Sequence, residues 1–164
     1  MICIKERGII MKKYEFTGET KTINLFFRTA TLHRIRAVTE FGFVKVGDLG
    51  GWIEKEENLS HVGNAWVCDD AEVYDDAKVY GNAKVCGNAE VFSARHVLVI
   101  GAIGSRDDFT TFYRDKDNEI TVKCGCFLGK IDKFLENVTQ THSDSKYASV
   151  YRAAVEVAKL QIDL

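Results

Sequence analysis

Residues 63–92 read GNAWVC DDAEVY DDAKVY GNAKVC GNAEVF, which are five consecutive repeats of six residues. Each repeat places Asn or Asp, then Ala, then a variable residue, then Val, and all five keep this order. Successive matches at three positions identify a structural repeat whose period governs the fold. The recurring residues are Ala65, Ala71, Ala77, Ala83 and Ala89, together with Val67, Val73, Val79, Val85 and Val91.

The Ala-x-Val unit predicts a short strand, because alternate side chains of a strand lie on the same face. Ala and Val are expected to point inward, and the residue between them outward. Gly, Asn and Asp at the ends of each unit tolerate the left-handed backbone of a sharp corner. Three repeats would then complete one triangular turn of a parallel β-helix. The stacked pairs, eighteen residues apart, would be Cys68 and Cys86, Glu72 and Glu90, and Tyr74 and Phe92.

The repeat resembles the hexapeptide-repeat proteins, which form left-handed parallel β-helices. Upstream of it, Ala37-Val38-Thr39, Gly50-Gly51-Trp52 and Asn58-Leu59-Ser60 occur in order. This order is similar to the amino-terminal cap of a family of phage and prophage hexapeptide-repeat proteins, and the resemblance covers roughly residues 12–92. It implies a left-handed β-helix fold and says little about activity.

The predicted fold is therefore mainly β, with a short left-handed parallel β-helix of about two to three coils at residues 59–100. Residues 1–58 are expected to form a β-strand cap. Residues 101–164 are expected to form an α/β extension with a β-hairpin and two α-helices, and the three parts to pack as one unit. Because so few coils are unstable alone, the flanking segments are expected to cover both ends of the repeat.

Local patterns predict the elements on either side of the repeat. A polar turn at 115–119 between two apolar runs predicts a hairpin. Apolar residues spaced three and four apart over 131–138 predict a helix, and Ser143 or Asp144 is expected to cap a second one. Runs of β-branched and aromatic residues before the repeat predict strands at Tyr14–Phe16, Ile23–Arg28 and Leu32–Val38.

The composition fits one soluble globular chain, since 46% of the 164 residues are apolar, 28% are charged and none is proline. No run approaches the ~20 apolar residues of a membrane span. Lys5 and Arg7 interrupt the apolar first ten residues, so no signal peptide is expected, and Met11 is a second candidate start. We therefore expect a cytoplasmic protein with five free thiols, including the stacked Cys68 and Cys86.

Charge is distributed unevenly along the chain. Residues 1–46 carry nine basic and four acidic side chains, residues 47–92 carry three and ten, and residues 93–164 carry ten of each. The acidic middle would favour a basic partner, or it is the solvated surface of a repeat. The net charge of −2 disfavours direct nucleic-acid binding.

Two histidines near the repeat, His61 and His96, are weak candidates for catalysis. The resemblance to hexapeptide-repeat acyltransferases implies a histidine that takes a proton from the acceptor. The alternative is that both are solvated or cap turns, because the coil has no projecting loop to hold coenzyme A. Cys124, Cys126 and His142 are three possible zinc ligands without an obvious fourth, and packing is again the alternative. No catalytic residue, metal or cofactor is predicted.

Aromatic residues on the outside of the repeat predict an interaction surface, since exposed apolar patches mark interfaces. The alternative is that flanking strands or helices of the same chain cover them. With the acidic corners, the predicted partner-binding residues are Trp66, Asp69, Asp70, Tyr74, Asp75, Asp76, Tyr80 and Phe92. A homo-oligomer contact is predicted at Tyr147, Tyr151, Val155, Leu160 and Ile162.

The carboxy-terminal segment carries a second pattern, Gly125-Cys126-Phe127-Leu128-Gly129 followed by His142, Tyr147 and Tyr151. It is similar to a tail that phage-encoded proteins append to the same repeats.

Together these features predict a non-enzymatic protein-binding module of phage origin, a homodimer or larger, that binds a host protein and no membrane. Analogy with phage proteins of this size suggests an inhibitor of a bacterial defence system, for example an anti-CRISPR protein. Two alternatives stay open. One is an acyltransferase-like enzyme, which coenzyme A binding would reveal. The other is a small-molecule or nucleotide sponge with pockets between protomers.

Overall fold

The computed structural model describes residues 11–164. Over this range the chain forms eleven strands, two short 3-10 turns and two α-helices. The helices are α1, Ile131–His142, and α2, Lys146–Gln161. The strands are β1 Tyr14–Asn24, β2 Thr29–Ala37, β3 Leu49–Ile53, β4 Trp66–Val67, β5 Glu72–Val73, β6 Lys84–Val85, β7 Glu90–Val91, β8 Val97–Ile103, β9 Asp108–Arg114, β10 Ile120–Cys124 and β11 Phe127–Lys130.

The strands form three open sheets, so the predicted left-handed parallel β-helix is wrong. The order β1-β2-β3-β5-β7 makes a mixed five-stranded sheet, β4-β6 a parallel pair, and β11-β10-β9-β8 an antiparallel sheet. No sheet of the described residues closes on itself or continues as a solenoid. The repeat strands are only two residues long. The long β1–β2 hairpin joins β5 and β7 of the repeat, through β3, in the five-stranded sheet.

The predicted stacking within the repeat is confirmed. Glu72 pairs with Glu90 in parallel register, and the rings of Tyr74 and Phe92 stack with centroids 5.3 Å apart. All five alanines and all five valines of the repeat are buried, which confirms their inward orientation. They form the main core, as side chains repeating every second residue on one face of each strand must.

Cys68 and Cys86 also stack, with Cα atoms 4.6 Å apart, and they are joined by a disulfide. The prediction of free thiols at this pair is therefore wrong. Parallel neighbours one strand spacing apart lie within the Cα separation that a disulfide spans.

Flanking strands cover both ends of the repeat, as predicted. At one end, β2 pairs antiparallel with β3. At the other end, side chains of β9 satisfy the free backbone of β6 and its neighbours: Lys84 N–H donates to Thr111 Oγ1 at 3.0 Å. The Tyr113 hydroxyl donates to the Cys86 carbonyl at 2.9 Å. Unpaired strand edges require such partners when they are buried.

The carboxy-terminal hairpin and both helices are confirmed, and they form a second core. Strands β9 and β10 pair antiparallel, and both helices pack on their sheet through residues such as Phe134 and Val155. The predicted caps are wrong, because α2 begins after Ser145 and Ser143 ends α1 with a φ of 50°. Neither helix is long and apolar enough to cross a bilayer.

The amino-terminal strands differ from prediction in one respect. Tyr14–Phe16 and Leu32–Val38 fall largely within β1 and β2, but the predicted strand Ile23–Arg28 is wrong. Its first two residues end β1, and the other four, Leu25–Arg28, form the turn that joins the two strands.

Candidate functional site

The predicted aromatic surface is mostly covered by the chain itself. Trp66 and Tyr74 are 5% and 2% exposed, Phe92 is half-buried, and Tyr80 alone of the four is well exposed. The Trp66 ring meets Phe41 edge to face, with centroids 5.3 Å apart. The structure therefore does not bring these four side chains together as one accessible surface.

The acidic corners of the repeat are only partly paired within the chain, since Asp69, Asp70 and Asp76 are exposed. Basic side chains of the amino-terminal segment form ion pairs with acidic residues in and before the repeat, so the two oppositely charged segments contact each other. Asp69 accepts a hydrogen bond from Gly87 N–H at 2.9 Å, and Asp76 stays exposed. The ion pairs that join the amino-terminal segment to residues 54–75 are Lys12–Glu56, Lys21–Glu72, Arg28–Glu54, Arg28–Asp75 and Arg34–Asp70.

The predicted oligomer contact is also mostly buried. Tyr151, Val155 and Ile162 belong to the second core, and Tyr147 is half-buried. Leu160 is 85% exposed, so it is the one fully accessible member of the predicted set.

Both candidate catalytic histidines hold backbone amides. His61 stacks on Tyr14 with centroids 4.2 Å apart, and its Nδ1 accepts from Lys13 N–H at 3.1 Å. The Nδ1 of His96 accepts from Phe92 N–H at 3.2 Å. Burial lowers the pKa of both imidazoles, which are therefore neutral at pH 7. These contacts match the capping role that was the alternative to catalysis.

The possible zinc ligands Cys124, Cys126 and His142 line one cleft, but their ligand atoms do not all lie within 4.8 Å of one another. Among the described residues, two groups have ligand atoms within 4.8 Å of one another, and neither includes these three. One group is the disulfide pair with Asp69, and the other consists of three carboxylates at residues 115–119 that surround the Lys130 ammonium.

The turn of the β1–β2 hairpin carries two adjacent phenylalanines that lie almost wholly in solvent. Phe26 and Phe27 are 94% and 92% exposed, and their rings meet edge to face with centroids 4.7 Å apart. Leu25 N–H donates to the Arg28 carbonyl at 2.7 Å, which closes the turn around them. Neither residue has a positive φ, so the turn does not need Gly, Asn or Asp there, and it does not need two aromatic side chains either.

This tip, residues 25–28, projects beyond the strand against which the hairpin packs. The last β2–β3 pair joins His33 to Ile53, whereas β1–β2 pairing continues to Asn24 and Thr29. The last backbone pairs of the hairpin therefore lie beyond β3, while Ile23 and Leu25 pack against the buried cluster of Leu32, Trp52 and Tyr74.

Arg28 fastens the base of the tip to the repeat. Its guanidinium donates to both carboxylate oxygens of Glu54, at 2.6 and 3.0 Å, and it also contacts Asp75. Glu54 accepts from Asp75 N–H as well, at 2.9 Å. The Arg28 hydrogen bond holds the pKa of Glu54 below its usual range, so the clamp is charged at neutral pH. These ion pairs thus tie the base of the turn that carries the two phenylalanines to the rest of the protein.

A third exposed phenylalanine, Phe43, lies in a separate loop and differs in its surroundings. It is 87% exposed, but the Lys84 ammonium lies 4.8 Å from its ring centroid. Its loop packs over β4 through Phe41 and Trp66, whereas the tip belongs to the sheet β1-β2-β3-β5-β7.

Sequence reasoning missed the tip because Ile23-Asn24-Leu25-Phe26-Phe27 has the composition of a strand and contains no glycine. Searches with protein-family models and among curated proteins find no match for this chain.

Proposed function

We propose that this protein is a non-enzymatic protein-binding module that anchors to its partner through Phe26 and Phe27. The observation that carries the proposal is the nearly complete exposure of both rings at a turn that requires neither. Burial of a phenylalanine is worth about 1.5–3 kcal/mol, and aromatic side chains seated in a pocket dominate interface energies. An exposed aromatic pair on a turn held by the Arg28 ion pairs is suited to fill such a pocket.

The surroundings of the tip favour a protein pocket over a membrane surface. Loops that insert into membranes add basic residues that attract anionic lipid. Here Arg28 is occupied by two carboxylates, and the neighbouring exposed positions Thr22, Asn24 and Thr29 are uncharged. The partner we infer has an apolar pocket bordered by neutral hydrogen-bonding groups.

The resemblance to phage proteins supports a host protein as partner, in the cytoplasm of a bacterial cell. Inhibition of a defence system follows from that resemblance and not from any residue of the site. Self-association is a separate part of the proposal, and the mass of the purified protein in solution measures it directly.

The test compares three immobilised proteins in a bacterial lysate, with quantitative mass spectrometry of what each retains. The proteins are the wild type, the double variant Phe26→Ser/Phe27→Ser, and the matched control Phe43→Ser, which removes an equally exposed ring elsewhere. We expect a host protein that the wild type and the control retain and that the double variant loses by at least about tenfold.

Two outcomes would overturn the proposal. One is that every retained protein binds the double variant as well as the wild type. The other is that the wild type, but not the double variant, sediments with phosphatidylcholine or mixed phosphatidylglycerol vesicles, which would make the tip a membrane anchor.

A further inference from the structure

A cleft of about 240 Å³ opens on the carboxy-terminal part of the chain, and its lining shares no residue with the tip. Four elements converge on it: the β8–β9 turn, the β10–β11 turn, the second half of α1, and α2 through Tyr151. Much of the second sequence pattern meets here, since residues 125–127, His142 and Tyr151 all line the cleft.

Aromatic rings form the walls of the cleft. Phe127 and Phe134 lie with centroids 5.3 Å apart, and the His142 ring lies nearly parallel to that of Tyr151 at 5.7 Å. Phe134 and Tyr151 are buried, whereas His142 is half-buried and reaches the opening. Such walls favour a flat, ring-shaped ligand.

The cleft lining includes a tyrosine whose hydroxyl forms a long hydrogen bond within the protein. Tyr151 is 8% exposed, and the polar partner of its hydroxyl among residues 11–164 is the Cys124 sulfur at 4.0 Å. Burial, with the nearby Cys124, raises the pKa of Tyr151 to about 12, so the hydroxyl keeps its proton at pH 7. Buried hydroxyls usually donate to an acceptor, and a bound ligand would supply one.

The rim supplies an unpaired positive charge. Arg106 is exposed and forms no ion pair within the described part of the chain. Asp108 is the acidic residue of the lining, and its Oδ1 accepts from Phe109 N–H at 2.7 Å. Asn137 and Thr141 can each donate or accept. The Arg106 guanidinium is the cationic group of this lining with which an anion would pair.

We propose that this cleft binds a small aromatic oxyanion, a one- or two-ring compound bearing a carboxylate or a similar group. The ring lies against the aromatic walls, and the oxygens accept hydrogen bonds from Arg106 and Tyr151. The cleft is smaller than the usual 300–1,000 Å³ of sites for drug-sized ligands, which sets the limit on ring number. This site is independent of the proposed protein-binding tip.

Ligand-observed NMR titrations with three probes of equal ring size test the proposal. Benzoate, benzyl alcohol and benzylamine differ in charge alone to a first approximation. We expect benzoate to bind most tightly, and Arg106→Gln to weaken benzoate by about tenfold while changing benzyl alcohol little. Tyr151→Phe should weaken benzoate by several-fold, and the control Arg36→Gln, an exposed arginine of β2, should have no effect.

A chemical readout places the ligand. Cys126 is an exposed thiol on the cleft lining, so bound benzoate should slow its alkylation in peptide-resolved mass spectrometry. The proposal fails if none of the probes binds at 10 mM, a weak-fragment limit of about 3 kcal/mol, or if benzylamine binds as tightly as benzoate. It also fails if benzoate binds without protecting Cys126.

Discussion

Two hairpin turns of this protein differ in the side chains at their tips, which are polar and hydrogen-bonded in one and aromatic and exposed in the other. In the β9–β10 turn, the buried Asp115 carboxylate accepts from Asp117 N–H at 2.9 Å and from Glu119 N–H at 3.3 Å. The Lys130 ammonium contacts the same carboxylate at 2.6 Å. In the β1–β2 turn, the central positions hold Phe26 and Phe27, which lie in solvent.

The difference separates stability from function. The polar turn finds its hydrogen-bond partners within the folded chain, including the Asn88 carbonyl, which accepts from Lys116 N–H at 3.1 Å, so its residues are explained by folding. The apolar turn leaves two rings in water, which folding does not reward. A site where local chemistry opposes the fold is where a functional constraint is expected.

Of the changes in these two turns, removal of the Asp115 side chain is expected to lower the free energy of unfolding most. Asp115→Ala leaves two backbone N–H groups and the Thr121 hydroxyl without their acceptor, and it removes one of the three carboxylates around the Lys130 ammonium. A buried donor left without its acceptor costs about 1–3 kcal/mol, so we expect a total loss of about 3 kcal/mol or more, which urea unfolding would measure. The neighbouring Asp117→Ala removes an exposed pair and should cost less than about 1 kcal/mol. Equal costs for the two variants would show that the turn is not self-supporting.

Acid should weaken the polar turn through its buried carboxylate. Burial alone would raise the pKa of Asp115, but hydrogen bonds from Lys130 and Thr121 outweigh it and hold the pKa below its usual range. A carboxyl with a lower pKa in the folded state stabilises the protein above its unfolded pKa, near 4, and loses this contribution as the pH falls further.

The measurement is the free energy of unfolding of wild type and Asp115→Asn at pH 7 and at pH 3. The wild type should lose more stability than the variant between the two values, because the variant has no carboxyl to protonate. A loss of equal size in both proteins would assign the acid sensitivity to other carboxylates, such as Glu72, whose pKa the Lys116 and Lys21 ammonium groups also hold low against the effect of burial.

The repeat shows what sequence reasoning could reach. Burial of Ala71 and Val73 and the stacking of Glu72 on Glu90 follow from side-chain alternation and a fixed period, which are local properties. The turn at 115–119 was equally readable, because Asp and Asn favour turns through their own side-chain hydrogen bonds.

Long-range contacts could not be predicted from the sequence, because they do not depend on local properties. Tyr14 of β1 lies against Trp66, and β2 pairs with β3. These contacts join residues far apart in sequence, and they give an open sheet where the prediction had the closed coil of a β-helix. The candidate site was missed because a turn built from Leu25, Phe26 and Phe27 has the propensities of a strand. Only its place at the end of a paired hairpin marks it as exposed.

Replacement of the apolar tip gives the smallest expected effect on stability and the sharpest test of the comparison. In Phe26→Ser/Phe27→Ser, the double variant of the binding test, two polar side chains replace the exposed rings, and neither position has a positive φ that would call for Gly or Asn. We expect the free energy of unfolding to change by less than about 0.5 kcal/mol, because both rings already lie in solvent. Urea unfolding beside Phe43→Ser measures this. A loss of more than about 1 kcal/mol would mean that the two rings support the fold, whereas unchanged stability with lost partner binding means that selection for binding keeps them there.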